Sequence, residues 1–171
     1  MEDSREYRFV QSVFKALEDK AKRSAMRRAD NPATEYQCWE FLLRHHIDIE
    51  KDAERLAATL VCASIARGKQ SQNGTLKVPE ALAQCYPDGA KSSAAEAKLR
   101  RLCACVSTEE FVEILRPMLR LIEGRTNNID YVDLYTFLRK TQFDDVLESV
   151  KRRWVKNFYH QTYDDRPEEI E

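Results

Sequence analysis

Residues 150–163 read VKRRWVKNFYHQTY, four basic residues and four aromatics in 14 positions. Such a segment either grips a nucleic acid or completes a helix, and spacing decides between them. With the residues before it, Phe143, Val146, Leu147, Val150, Trp154 and Phe158 recur at i, i+3, i+4 and i+7, one apolar helical stripe. Trp154 and Phe158 therefore belong to a buried seam. Arg152 and Lys156, four residues apart, project from the opposite face. The segment reads as an amphipathic helix with an aromatic seam and a basic back.

The same period runs outward along the chain. Over residues 5–21, Phe9, Val10, Val13, Phe14 and Leu17 share a face. Asn31-Pro32 fits an N-cap with a first-turn proline, opening a helix that carries Tyr36, Trp39, Phe41 and Leu43. From about Glu50 to Arg67 the pattern buries Ala53, Leu56, Ala57, Leu60, Val61 and Ser64, and Gly68 ends it, opening the polar loop GKQSQNGT. A short helix is predicted near residues 79–85. Ser93 with Glu96, and Ser107 with Glu110, fit capping boxes that start helices over about 94–105 and 108–123. Pro117 predicts a kink or break after Leu115. Asn127-Asn128 precedes a helix with Ile129, Val132, Leu134, Tyr135 and Leu138, and Asp144-Asp145 opens the last helix, where negative charge suits the dipole. No strand alternation exceeds four residues, and four glycines and five prolines are too few for a barrel or sandwich. The fold class is all-α, with about eight helices.

At 171 residues the chain is long enough for one domain, or for two small lobes sharing a core. Residues 1–163 are expected to form a single helical body, with sub-bundles over about 1–88 and 89–163. Residues 164–171, DDRPEEIE, form an acidic tail expected to be disordered. The whole chain carries 28 Lys and Arg against 29 Asp and Glu; without the tail's one arginine and five acids the body holds 27 against 24, a net +3. That is too weak by itself to mark a nucleic-acid binder. The N-terminus has no secretory apolar stretch, no run could span a bilayer, and five cysteines at irregular spacing fit a reduced compartment, so a cytoplasmic protein without membrane contact is expected.

Catalysis finds no support. The neighbours His45 and His46 face about 100 degrees apart on a helix and cannot form an i, i+4 metal pair. Cys103 and Cys105 lack a second pair at zinc spacing. There is no P-loop, nucleophile elbow or dinucleotide fingerprint. No catalytic residue, metal site or cofactor is expected. The basic clusters remain. Interspersed acids allow a plain solvated face, with Glu113 positioned for Arg116 and Glu148 for Arg152. Arginine outnumbers lysine in the clusters, which suits bidentate phosphate contact.

The order of segments adds a resemblance. MRRADNPATEYQCWEFLL, LAATLVCASIARGKQ, TLKVPEALAQC, EAKLRRLCACVSTEEFVEILRPMLRLI, IDYVDLYTFLRK and VKRRWVKNFY, in that order, resemble the CasB family, the small subunit of the type I-E CRISPR surveillance complex Cascade, over about residues 22–160. The chain departs from the family at Thr75-Leu76-Lys77, where a Ser-Leu-Gly step is common, and at Leu99, where an aromatic is common. The resemblance implies a non-catalytic subunit of two packed helical bundles that pairs with a second copy of itself. It would sit beside the guide RNA backbone subunits and the large subunit, near the CRISPR guide RNA. Its basic faces would steady the guide RNA–target DNA duplex and hold the displaced non-target strand, an R-loop, in antiviral defence. The cations it carries over are Arg27, Arg28, Lys69, Lys98, Arg101, Arg116, Arg139 and Lys140. Arg152 and Lys156 join them from the helical face alone. The rival readings are an α-helical interaction adaptor without nucleic-acid contact and a helix-turn-helix regulator, for which no suitable turn is found.

Overall fold

Helix α4 (Asp52–Arg67) lies at the centre, and every residue from 57 to 66 on it is buried. The small residues Ala57, Ala58, Ala63 and Ala66 let neighbouring helices approach closely on all sides. Around it in the computed structural model, which describes residues 3–164 and side chains through residue 160, pack α1 (Arg5–Ala16), α2 (Lys20–Arg27), α7 (Thr108–Glu123) and α8 (Tyr131–Lys140). A further group is built from α5 (Val78–Gln84), α6 (Ser93–Cys103), α7 and α9 (Asp144–Asp164), while α3 (Trp39–Arg44) follows a 3-10 turn over Glu35–Cys38. A second 3-10 turn spans Gly89–Lys91. The chain is all-α, with nine α-helices among the described residues and one isolated parallel bridge, between Leu76 and Ile129.

Local chemistry sets most boundaries. Ser4 caps α1, accepting from the Tyr7 amide at 3.1 Å. The face read over 5–21 is not one helix: α1 ends at Ala16, and the Asp19 carboxylate accepts from the amides of Ala21 and Lys22 to start α2. Ser92, not Ser93, caps α6, accepting from Ala95 at 3.3 Å. Ser107 caps α7 as expected, and the Glu110 carboxylate accepts from the Val106 amide at 2.7 Å. The break expected at Pro117 does not occur, because α7 runs through it. Pro117 and Glu113 are both exposed, so the carbonyl that loses its partner lies on the solvent side.

The C-terminal seam packs as its spacing demands. Leu147, Val150, Trp154 and Phe158 are buried, and Trp154 stacks on Phe137 at 3.8 Å between ring centres. Phe143 is an exception at 56% exposure, because it precedes the first turn of α9 and follows no helical face. Another correction concerns α3. Tyr36, Trp39 and Leu43 are exposed, and Cys38 and Leu42 take the core positions.

Long-range polar contacts lock the centre. Arg67, at the end of α4, bonds Asp30 at 2.7 Å and both carboxylate oxygens of Glu123 at 3.1 Å. Ser64 and Tyr131 share a buried hydroxyl bond at 3.0 Å. The polar loop after Gly68 is stitched to the start of α8: Gln70 donates to the Ile129 carbonyl and accepts from its amide, both at 2.8 Å, and Asn73 accepts from Tyr131. Gly74 sits so close to Asn128 that a Cβ there would meet its backbone at 2.2 Å.

Candidate nucleic-acid interface

Among the ten cations singled out in the sequence, Arg27 and Lys69 are 42 positions apart yet line one groove of about 490 Å³. The end of α1, the outer face of α2 and the loop after α4 form its walls, with Phe14, Leu17 and Ala66 beneath. Arg27 is steadied there by donating from Nε to the Ala66 carbonyl at 3.2 Å. Lys69 is exposed. Arg23, not one of those ten, lines the same groove one helical turn before Arg27. The i, i+4 spacing of Arg23 and Arg27 was the available signal. Glu18 is the groove's one acidic lining residue. Arg67 nearby adds little free charge, because Asp30 and Glu123 neutralise it.

Lys98 and Arg101 form a second pair, at a small cleft of about 50 Å³ with Glu113, Ile114, Pro117 and Met118. Glu113 thus lies with these two cations, away from the pairing with Arg116 that helical spacing suggested. Arg116 is half-buried, and its Nε is enclosed without a hydrogen-bond partner. Glu148 pairs with Lys151 at 3.2 Å, leaving Arg152 outward. Arg152 and Lys156 are exposed on α9, opposite the seam of Trp154 and Phe158. Arg28 folds back on Ser24. Arg139 is half-buried against Glu6, and only its neighbour Lys140 reaches solvent freely. The structure therefore joins two pairs of the ten and engages Arg139 inside the fold.

No group of three or more metal-ligating side chains occurs among the described residues, and no described helix is long and apolar enough to cross a membrane. The cysteines are free thiols, four buried and Cys103 half-buried. Burial, and then the Glu35 carboxylate, push the Cys38 thiol from 9.0 up to about 11, and burial pushes Cys62 up as well. Since the folded thiol binds its proton more tightly than the unfolded one, its contribution is intact below pH 9 and fades as pH rises toward 11. Urea unfolding under reducing conditions should show stability about 1 kcal/mol lower at pH 10 than at pH 8 from Cys38 alone. Burial raises Tyr131 and Tyr135 in the same direction. A flat profile across that range would contradict the buried, neutral thiols.

The family model of CRISPR-associated protein Cse2 matches residues 22–159. The crystal structure of M. ruber CasB is similar over 95% of this chain and 96% of that one, at 25% identity and a TM-score of 0.73. No curated protein matches the chain.

Proposed function

This chain belongs to the CRISPR-associated Cse2 family, and from that premise we propose that it is the non-catalytic small subunit of a type I-E, RNA-guided Cascade complex. In this reading it works in the cytoplasm and pairs with a second copy beside the guide RNA backbone subunits and the large subunit. Its basic helical faces stabilise the guide RNA–target DNA duplex and hold the displaced strand. The observation that carries the reading is the meeting of Arg27 and Lys69, with Arg23, at one solvent-facing groove of a body from that family. Opening a DNA duplex against a guide RNA is nearly balanced in free energy. Modest backbone contacts to the displaced strand therefore decide how much of it stays open, and they need no base recognition. A body of only slight positive charge gains such a track when docked, without coating itself with unrelated nucleic acid.

The test is strand opening by the reconstituted complex, read as permanganate reactivity of unpaired thymines on the displaced strand. Replacing Arg27, Lys69, Lys98 and Arg101 together with alanine should reduce opening at about 150 mM salt and flatten its logarithmic salt dependence by about 3. A variant complex that opens as much strand as the wild type, with the same salt dependence, defeats the reading. A second reading, a protein-interaction adaptor without nucleic-acid contact, is favoured by the exposed Tyr36, Trp39 and Leu43. It predicts that Trp39→Asp abolishes incorporation into the complex while the four cations can be removed without effect.

A further inference from the structure

The helix α1 precedes residue 22, where the family match begins, yet it bears a hollow lined by three arginines. Arg5, Arg8 and Ser12 of α1 face Arg44, His45 and His46 at the end of α3 across a groove of about 440 Å³. No carboxylate lines it. Arg5 donates to the His46 carbonyl at 2.7 Å, which fixes its guanidinium at the groove's edge. The carboxylates that touch its cations from outside do so in water: Glu40 meets Arg44 at 2.7 Å and Asp3 meets Arg8 at 3.9 Å, all four side chains being at least 67% exposed. Such pairs contribute little and exchange readily for a phosphate.

The backbone beneath is built with some strain. The end of α3 closes with Ile47 N–H bonding the Leu42 carbonyl at 3.0 Å and His46 N–H bonding that of Leu43 at 3.1 Å. That closure requires a left-handed residue, and His46 occupies it at φ 61° where glycine is usual. The groove also continues. A second hollow, of about 420 Å³, shares Ser12, Arg44 and His45 with the first and adds Lys15, Lys22 and Phe41. Glu18 and Asp19 line it too and weaken its positive field, and Glu18 then joins it to the Arg27–Lys69 groove. Between the first two hollows, the rings of His45 and Phe41 pack at 4.5 Å, a partly open aromatic surface.

We infer that the α1–α3 groove is a second binding site for single-stranded nucleic acid, in which Arg5, Arg8 and Arg44 hold backbone phosphates and a base stacks on the open face of the His45 or the Phe41 ring. Arginine forks match phosphate oxygens bidentately, and a partly open aromatic ring beside a row of cations suits unpaired bases. The inference rests on the proposed function only in taking nucleic acid as the partner; its residues are separate. Lines of phosphate along α1 would lengthen the strand footprint beyond the Arg27–Lys69 groove.

The full chain should bind a fluorescein-labelled oligonucleotide of about 20 nucleotides at about 50 mM salt, and anisotropy titrations read the affinity. The triple variant Arg5→Ala, Arg8→Ala, Arg44→Ala should bind at least about tenfold more weakly, with a salt slope reduced by about 2. Lys91→Ala, on the distant 3-10 turn, should bind as the wild type. DNA and RNA oligonucleotides of one sequence, run in parallel, tell which strand the groove prefers, and ultraviolet crosslinks should map to peptides containing residues 5–15 or 41–47. If the triple variant fails to fold by circular dichroism, the solvent-facing Arg8→Glu carries the same test. Unchanged affinity and slope in a folded variant overturn the site. So does a wild-type chain that ignores both oligonucleotides, a result that would leave the strand-opening experiment on the assembled complex to judge the proposed function separately.

Discussion

Replacing Arg67 with alanine should cost about 3–5 kcal/mol of unfolding free energy, the largest loss expected from a charged side chain among the described residues. Arg67 is the shared partner of Asp30 and Glu123, whose side chains are only 2% and 7% exposed. The remaining cation near Asp30, Arg120, stands off at 3.8 Å and is mostly in water. Without Arg67, two carboxylates lie together in a low-dielectric interior with most of their compensation gone. The expected melting temperature falls by about 10 °C or more. Asp30→Asn and Glu123→Gln should each cost less, since Arg67 keeps one anionic partner. A loss below about 1 kcal/mol for Arg67→Ala would mean that the three helix ends are not joined as described.

Trp154→Ala should cost a comparable amount, about 3–5 kcal/mol. Its indole is 1% exposed and lies flat on Phe137, which meets Phe111 edge-on at 5.3 Å. Truncation empties a large volume among three helices that cannot collapse without breaking the other aromatic contacts. Trp154→Phe should recover much of the loss, because a ring still faces Phe137. The indole N–H has no hydrogen-bond partner, so that substitution leaves no new unpaired group behind. Denaturant unfolding of both variants measures the difference. Equal stability of Trp154→Ala and the wild type would place the C-terminal helix elsewhere.

Both residues bear on what a sequence makes legible. The seam of α9 and the start of α7 follow from local rules, spacing in one and a Ser107 cap in the other, and the fold reproduces them. The stretch around α3 misleads for a physical reason. A 3-10 turn precedes a helix of only six residues, so the pitch changes within the window and Leu42, rather than Trp39 or Leu43, meets the core. Pro117 is tolerated because its side of α7 faces water, a fact set by tertiary packing. The stitching of Gln70 and Asn73 to residues nearly 60 positions later leaves no periodic trace at all.

The cations divide in the same way. Their types were readable, and so was the outward position of Arg152 and Lys156. Which of them share a groove was not, because Arg27 and Lys69 meet only when α2 packs on α4. Arg139 looked as available as Lys140, and only the folded chain brings Glu6, 133 positions away, against it. A helical face predicts exposure, whereas convergence on one strand-sized groove is a property of the whole fold.

The decisive measurement is purification of the tagged chain from its source cells, with sequencing of the RNA that accompanies it. Repeat-flanked guide RNAs of uniform length, together with larger subunits in fixed ratio, are the predicted result. A chain that emerges alone, without RNA and without regular partners, would contradict its place in an RNA-guided complex.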